Sequence, residues 1–427
     1  MRLLTPLSDF RNKFFELNKY LFLTTIKCAI LLGFALQSCA SHTKDNIVYE
    51  AQKTDLKIDN IDGVKRVSGK NCFTLDNHFV WCGSVVKAED KKYYLFYSAM
   101  ESGENNPPFV DAWLLGSKIG LAVSDSPYGK FQDLGIYYNK DGYAKDTSSW
   151  DAQMAHNTHI KEFNGKYYLY YCGSVDPGET AVGAENLNKR TRIQQNQKIG
   201  VLCFESIDDF RKGNYSCNDV PLLSPRTRVK PDNILEPSPA GTKALPDNII
   251  VVNPSVVYRP SDGKYLLYFK GNMYDPGWRG VHGVAIGDTP AGPFIPLDEP
   301  IFHFETENNE KLSAEDPYVW YHKGDKRFYA VFKDFTGKFT KGKPGLAIMY
   351  SEDGIDWKLP KNSLFMKKEI ILANGDTITV DRLERPQILT DADGNPIVLY
   401  AACSIDNVNP KKDGGSFSIH IPIKTIR

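Results

Sequence analysis

The sequence has no excess of charge of either sign, because 52 Lys and Arg side chains balance 52 Asp and Glu side chains over 427 residues. Nucleic-acid-binding domains carry a surplus of Lys and Arg gathered on one face, and no polyacidic tail is present either. The eight cysteines follow no metal-ligand spacing. We therefore expect no nucleic-acid partner, no metal and no cofactor.

A long uninterrupted apolar run is also missing. The run "CAILLGFAL" at residues 28–36 follows five basic residues; it is too short to cross a bilayer but is typical of the h-region of an export signal. Residues 36–39 read "LQSC", which resembles a bacterial lipobox with Cys39 as the lipidated residue. A cleaved signal with an incidental cysteine is the alternative. We predict a lipoprotein signal at residues 1–38, a linker at 39–65, and a lipid anchor to the bacterial cell envelope, in the periplasm or at the outer membrane.

Export would permit disulfide bonds, and six cysteines remain after Cys39. Six thiols allow 15 pairings. Cys203 and Cys217 form the one pair that we suggest, because we expect them to face each other across adjacent strands.

Aromatic residues, by contrast, are plentiful at 12%, among them 23 Tyr, and Gly and Pro recur between them. This composition is typical of many short strands joined by turns. Five times the chain offers a polar cluster, an apolar strand, a turn with Gly or Asp, and a tyrosine-rich strand. The five stretches are "WCGSVVKAEDKKYYLFYS" (81–98), "AHNTHIKEFNGKYYLYYCGS" (155–174), "VNPSVVYRPSDGKYLLYFKG" (252–271), "AEDPYVWYHKGDKRFYAVFKD" (314–334) and "LERPQILTDADGNPIVLYAAC" (383–403).

A third strand follows most of these hairpins after a variable loop, and a fourth short strand can follow. Five units of about 45–75 residues, each one antiparallel sheet, predict an all-β chain: a five-bladed β-propeller of four-stranded antiparallel blades over residues 66–427. A pair of β-sandwiches is the alternative, but it does not require the same strand order five times.

The first strand of each propeller blade lines the central channel, so the polar clusters that begin these strands should converge on one cavity. Carboxylates, an arginine, an imidazole and amides together suit a sugar, whose hydroxyl groups both donate and accept hydrogen bonds. Trp81 is available to stack on the sugar ring. Aligned on their strands, the clusters are Trp81-Cys82-Gly83-Ser84, His156-Asn157-Thr158, Val252-Asn253-Pro254, Glu315-Asp316-Pro317 and Glu384-Arg385-Pro386.

This layout resembles the five-bladed propeller glycosidases, the group around glycoside hydrolase family 43 with its relatives in families 32, 117 and 130. In family 43 the clusters read D-P and E-G-P, and they supply a base, a carboxylate that sets a pKa, and a general acid. Asp316 stands directly before Pro317 in the same way, and Glu384 stands two residues before Pro386. The stretch "AEDP" also matches the E-D-P triplet of family 130 phosphorylases.

The resemblance implies catalytic roles for three carboxylates. Glu384 is expected to be the general acid and Asp316 the orienting or pKa-setting carboxylate, with Asp316 as base in the alternative assignment. The first two clusters lack the expected aspartate, so we expect Asp151, in a loop at 148–156, to enter the cavity as the base. A surface turn at Asp151 is the alternative.

Seven residues are expected to bind the substrate: Trp81, His156, Asn157, Asn253, Arg279, Glu315 and Arg385. Arg279 lies in "FKGNMYDPGWRGVHG" at 269–283 and is suited to a carboxylate or sulfate on an acidic sugar, although a solvated loop in which it pairs with Asp275 is the alternative. For His156 a structural, hydrogen-bonded role is the alternative.

The sequence therefore predicts a glycoside hydrolase that cleaves oligosaccharides derived from plant or algal polysaccharides by carboxylate acid/base catalysis. Two alternatives stay open: a phosphorylase similar to family 130, which needs a cationic phosphate site beside the acid, and a non-catalytic glycan-binding lipoprotein.

Overall fold

The structure is a computed structural model that describes residues 47–61, 64–139, 148–180, 187–217, 220–226, 243–274, 278–302, 314–334, 337–342, 344–405 and 415–426. All elements below belong to the compact unit Val48–Ile426. Among the described residues, no helix has the length and apolarity needed to cross a bilayer. The predicted signal segment and Cys39 lie outside the described residues.

From residue 47 onward, four short strands are described before the first blade: β1 (Val48–Ala51), β2 (Lys57–Ile61), β3 (Val64–Ser68) and β4 (Cys72–Phe73). β2 and β3 pair as an antiparallel hairpin. β1 and β4 both pair with the last strand of the chain, so these early residues are part of the propeller.

Five antiparallel sheets follow, and in each the first strand lies at one edge. Blade 1 contains β5 (His78–Lys87), β6 (Tyr93–Glu101), β7 (Lys118–Ser124) and β8 (Gln132–Tyr138). Blade 2 contains β9 (Met154–Phe163), β10 (Lys166–Ser174), β11 (Lys198–Phe204) and β12 (Ser216–Cys217). Blade 3 contains β13 (Val251–Arg259), β14 (Lys264–Tyr274), β15 (Trp278–Gly287) and β16 (Phe294–Pro296).

Blade 4 contains β17 (Ala314–His322), β18 (Arg327–Asp334), β19 (Gly345–Ser351) and β20 (Trp357–Lys358), with β21 (Leu364–Lys367) also paired to β19. A hairpin of β22 (Glu369–Ile371) and β23 (Thr377–Thr379) leads to blade 5. Blade 5 contains β24 (Arg382–Thr390), β25 (Pro396–Ser404), β26 (Ser416–Ile426) and, from the beginning of the chain, β1. In the described part of the chain, three short helices lie between strands: α1 (Phe109–Leu115) after β6, α2 (Lys189–Gln195) after β10, and α3 (Ile207–Lys212) after β11.

The first strands contact one another in order around a closed ring: β5 with β9, β9 with β13, β13 with β17, β17 with β24, and β24 with β5. This arrangement confirms the prediction of a five-bladed β-propeller of antiparallel sheets. The compact unit begins at Val48, earlier than the predicted domain boundary at residue 66, because β1 supplies the fourth strand of blade 5.

Apolar cores fill the spaces between neighbouring blades. In β10, Tyr167, Leu169 and Tyr171 pack into the core shared with blade 1, and Tyr168 and Tyr170 pack toward blade 3. Successive side chains of a strand point to opposite faces, so the tyrosine-rich strands fill two cores at once. This packing explains the aromatic content of the sequence.

The register of blade 2 corrects one expectation about cysteine. Cys203 lies opposite Ser216, and Cys217 lies opposite Leu202. The two cysteines therefore do not face each other across the strands, as the sequence had suggested. Four other cysteines are buried thiols: Cys72, Cys82, Cys172 and Cys403.

Every first strand has a break in its ladder at the same point. The register shifts between Trp81 and Ser84 in blade 1, and equivalent shifts occur in the other four blades. At each shift one non-glycine residue has a positive φ: Cys82 (51°), Asn157 (58°), Asn253 (58°), Asp316 (56°) and Arg385 (52°). Asn and Asp tolerate this left-handed conformation better than other L-residues, which accounts for three of the five.

Buried histidines make the stability of this fold sensitive to acid. Burial lowers the pKa of His156, His282 and His420 to about 3, whereas a histidine in an unfolded chain has a pKa of about 6.5. Below about pH 6.5 the unfolded chain therefore binds protons that the folded chain does not, so stability falls as the pH falls toward 3.

We predict that His420→Leu removes part of this sensitivity. His420 is fully buried against Phe131 and Tyr400, and neither ring nitrogen has a hydrogen-bond partner. In urea unfolding between pH 7 and 4, the stability of the wild type relative to the variant should fall by about 1.4 kcal/mol per pH unit below about pH 6. A difference that stays constant over this range would show that His420 has the same pKa in the folded protein as in the unfolded chain and would contradict the prediction.

Candidate active site

A cavity of about 580 Å³ opens where the five first strands begin. The residue directly before each left-handed position lines this cavity. We call these five residues the cavity-facing layer: Trp81, His156, Val252, Glu315 and Glu384. One residue from each blade thus reaches the same space, as the alignment of the five sequence clusters predicts.

The five left-handed residues form a second layer, which we call the central ring: Cys82, Asn157, Asn253, Asp316 and Arg385. The amide nitrogen Nδ2 of Asn157 donates to Oδ1 of Asn253 at 2.5 Å, and Nδ2 of Asn253 donates to Oδ1 of Asp316 at 2.5 Å. The backbone N–H of Arg385 donates to Oδ2 of Asp316 at 3.2 Å, and its Nη1 lies 3.5 Å from Oδ1. The Cys82 thiol donates to Oδ1 of Asn157. Hydrogen bonds therefore join all five blades at the axis.

Burial controls the charge of the ring. Burial, together with the neighbouring Glu315 carboxylate, raises the pKa of Asp316 to about 6, although Arg385 opposes the shift. Burial also raises the pKa of the Cys82 thiol, which keeps its proton available for donation. Burial alone would lower the pKa of Arg385, but Asp316 holds that pKa above its usual range. The ring thus contains one buried, compensated charge pair.

Above the ring, one wall of the cavity is charged. Lys270 pairs with Glu315, and the Lys333 ammonium lies 2.6 Å from Oε1 of Glu384 and 3.5 Å from Oε2 of Glu315. Although burial opposes the shift, Lys270 and Lys333 lower the pKa of Glu315. Lysines and glutamates alternate along this wall, with both carboxylates facing the cavity.

A second part of the cavity lining is apolar and comes mainly from α1. Phe109, Val110 and Trp113 line the cavity beside Trp81. The ring of Trp81 packs edge-to-face on Phe109, with centroids 5.2 Å apart, and Nε1 of Trp113 donates to the carbonyl oxygen of Val110. Aromatic and polar side chains in one cavity suit a ligand that has both apolar faces and hydroxyl groups.

Below the ring, side chains close the channel. The backbone N–H of Val256 donates to Nε2 of His159 at 2.9 Å, so the ring proton resides on Nδ1, which faces Oε1 of Gln387 at 3.2 Å. The Ser84 hydroxyl donates to the same Gln387 oxygen at 3.1 Å. The cavity therefore has a floor. Within the described ranges, no group of three or more His, Cys, Asp or Glu side chains is arranged to hold a metal ion.

Comparisons with known proteins agree with this architecture. No family model matches the chain, and no curated protein matches it. Solved structures do match. A family 117 glycoside hydrolase from the marine bacterium Zobellia galactanivorans, Zg3597, has a TM-score of 0.51 at 17% identity, covering 89% of this chain and 90% of that one. BT0996, solved as an RGII complex, has a TM-score of 0.53 at 14% identity, covering 84% and 91%. The chain has the glycoside hydrolase propeller fold.

Eight of the predicted site residues line the cavity: Trp81, His156, Asn157, Asn253, Glu315, Asp316, Glu384 and Arg385. They divide between two layers, which the sequence did not reveal. Asp316 belongs to the central ring and occupies the same position in its blade as Arg385 does in blade 5. Glu384 belongs to the cavity-facing layer and occupies the same position as Glu315. His156 is neutral, and its Nδ1 lies 2.7 Å from the Ser117 hydroxyl oxygen.

Asp151 does not line the cavity. Its Oδ2 accepts hydrogen bonds from the Tyr138 and Tyr171 hydroxyl groups, both at 2.6 Å, and its Oδ1 accepts one from Ser149 at 2.5 Å. Both tyrosines pack in the core between blades 1 and 2. This corrects the expectation that Asp151 supplies a third cavity carboxylate. The surface-turn alternative fails as well, because Asp151 is only 5% exposed. The side chain of Arg279 lies outside the described part of the chain.

Sequence reasoning missed two lysines of the charged wall. Lys270 and Lys333 come from the second strands of blades 3 and 4, where "YFKG" at 268–271 and "VFKD" at 331–334 stand at equivalent positions. The repeated Phe-Lys was therefore the available signal. Trp113 was missed because α1 has no counterpart in the repeat.

We predict that Asp316 and Arg385, the buried charge pair in the ring, are strongly coupled in their contributions to the free energy of unfolding. Arg385→Met should lower the free energy of unfolding by about 3–5 kcal/mol, because it leaves Asp316 buried without its cation. Adding Asp316→Asn should recover part of that loss. Urea unfolding of the two single variants and the double variant at pH 7 measures the coupling, and losses that simply add would contradict it.

Proposed function

We propose that this protein is a glycoside hydrolase that cleaves oligosaccharides derived from plant or algal polysaccharides in the central cavity. The observation that supports it most directly is that Glu315 and Glu384 line the same cavity as the aromatic side chains of Trp81, Phe109 and Trp113. Glycosidic cleavage needs one carboxyl group to protonate the leaving oxygen and a second carboxylate on the other reacting partner.

Glu384 is the general acid in this proposal. It supplies the single carboxyl group of the blade 5 cluster, it lines the cavity, and Lys333 fixes its position. Asp316 has the orienting role, because its carboxylate fixes the Arg385 backbone directly after Glu384. His156, which is neutral and lines the cavity, forms hydrogen bonds with substrate hydroxyl groups in this proposal.

A phosphorylase is a second candidate, favoured by one observation. Lys270, Lys333, Arg382 and Arg385 all line the cavity beside the two glutamates, and cations in such a place suit a phosphate co-substrate. Cleavage that requires inorganic phosphate would distinguish this function from hydrolysis.

We predict that Glu384→Gln abolishes turnover while leaving substrate affinity within a few-fold. The soluble domain is screened against nitrophenyl glycosides and oligosaccharides, with and without phosphate, and active sugars are followed in the variant by kinetics and calorimetric binding. Glu205→Gln, an exposed blade 2 glutamate paired with Lys166, is the matched control and should keep full activity. Full activity of Glu384→Gln would refute its role, and binding without turnover in the wild type would point to a glycan-binding protein.

We also propose that Cys39 anchors the protein to the bacterial cell envelope through a lipid, since the "LQSC" motif and the preceding apolar run support this location. We predict that Cys39→Ser abolishes incorporation of an alkyne-labelled fatty acid and moves the protein from the membrane fraction to the soluble fraction. Cys203→Ser is the matched control. Equal labelling of Cys39→Ser and wild type would contradict the proposal.

A further inference from the structure

The charges on the cavity lining do not cancel. Among the described residues, four cationic side chains and three carboxylates line the cavity. Each carboxylate pairs with a different cation, and the pairs are Glu315 with Lys270, Glu384 with Lys333, and Asp316 with Arg385. The fourth cation is Arg382, which lies at the start of β24. The lining therefore has one positive charge in excess, and it belongs to Arg382.

The guanidinium group of Arg382 is available to a ligand. Within the described part of the chain, the one carboxylate near it is that of Asp381, whose Oδ2 lies 3.6 Å from Nε. This distance is too long for a hydrogen bond, and no other described residue accepts one from the Arg382 side chain. The side chain is 40% exposed, so its N–H groups face water in the unbound protein.

An aromatic ring holds this guanidinium group in place. Its carbon Cζ lies over the Phe109 ring, 5.5 Å from the ring centroid, which is within the range of a cation–π contact. Phe109 in turn packs edge-to-face on Trp81 and on Phe79, with centroids 5.2 Å and 5.3 Å apart. The contact leaves the N–H groups along the edge of the guanidinium group to bind an acceptor. Arg382 is thus positioned before a ligand arrives.

Strand β24 places Arg382 beside Glu384. The ladder is regular from Arg382 to Glu384 and breaks after Glu384, so these two side chains point to the same face of the strand. Leu383 between them points to the other face and is buried. A step of two residues along a strand is about 6.5–7 Å, comparable to the span of one sugar ring. A sugar whose glycosidic oxygen meets Glu384 can therefore place a ring substituent at Arg382.

We propose that the substrate is an acidic sugar, with a carboxylate or a sulfate ester on the ring that the cavity binds, and that Arg382 binds this anionic group. This inference rests on the proposed function and names its substrate class. It also makes Arg382 a residue that determines specificity.

The chemistry of Arg382 suits an anion of this kind. Guanidinium groups bind planar or tetrahedral oxyanions through two parallel N–H donors, and both carboxylates and sulfate esters offer two oxygens in this geometry. A singly charged group also balances the excess charge of the lining. Inorganic phosphate carries more charge and would require further cations, whereas Lys270 and Lys333 already pair with the two glutamates. A group attached to the sugar is therefore favoured over a free anion.

The first test removes the anionic group from the ligand. Oligogalacturonides and alginate oligosaccharides are compared with the same compounds after their carboxyl groups are reduced to alcohols, and sulfated galactan oligosaccharides are compared before and after desulfation. Cleavage is followed in the wild type, and binding is measured by calorimetry in the wild type and in Glu384→Gln. At least one charged compound should bind about 10- to 100-fold more tightly than its neutral counterpart, and added salt should reduce the difference.

The second test removes the cation. Arg382→Met should remove most of the preference for the charged compound while changing the affinity for the neutral one by less than about 3-fold. Arg382→Lys should restore part of the preference, because it keeps the charge but not the fork of N–H groups. Arg211→Met is the matched control, since Arg211 is similarly exposed, pairs with Asp208 and does not line the cavity. It should keep the wild-type preference.

Three results would overturn the inference. The first is that no charged compound binds more tightly than its neutral counterpart. The second is that Arg382→Met weakens the binding of both members of a pair equally, which would mean that Arg382 only shapes the cavity. The third is that neutral oligosaccharides are cleaved with inorganic phosphate and that Arg382→Met raises the KM for phosphate, which would place the anion on the co-substrate.

The inference and the proposed hydrolase can fail separately. Cleavage of neutral oligosaccharides alone, without phosphate and with full activity in Arg382→Met, would leave the hydrolase intact and refute the role of Arg382. Binding of a charged oligosaccharide that depends on Arg382, without cleavage by the wild type, would support the inference and contradict the hydrolase.

Discussion

The hydrogen bonds that join Cys82, Asn157, Asn253, Asp316 and Arg385 at the axis are the interaction on which the site depends. Each of the five blades contributes one member, and each member has a left-handed backbone. That conformation costs energy for an L-residue, and the shared bonds offset the cost. A buried aspartate and arginine are tolerated there because each compensates the other.

The ring determines which residues face the cavity. With a left-handed residue turned into the ring, the preceding residue of each first strand is directed toward the open end of the channel. Blades 1 to 3 use the uncharged residues Trp81, His156 and Val252 at this position. Blades 4 and 5 use Glu315 and Glu384, so the carboxylates are gathered on one side, where Lys270 and Lys333 compensate them.

The architecture was predictable from the sequence because the same hairpin pattern occurs five times along the chain. Adjacent tyrosines such as Tyr170 and Tyr171 indicate a strand that is buried on both faces. The five polar clusters occupy equivalent positions in the five first strands, as their alignment predicts. The assignment within "AEDP" was not predictable, since whether Glu315 or Asp316 faces the cavity depends on a φ of 56° at Asp316. Asp151 could not be placed for a related reason: its partners Tyr138 and Tyr171 meet only when blades 1 and 2 pack together.

The pairing of β1 with β26 has a consequence for how the protein is made. Val48 pairs with Ile426, and Ala51 pairs with Ile423, so the first strand of the unit must wait for the last one. Blades 1 to 4 are built from consecutive strands and can form while the chain is being synthesised. Blade 5 closes only after β26 has been synthesised, although the entropy of closing such a loop grows only logarithmically with its length. Contacts this distant in sequence are associated with slow folding, so we expect the pairing of β1 with β26 to be the last step in forming the compact unit.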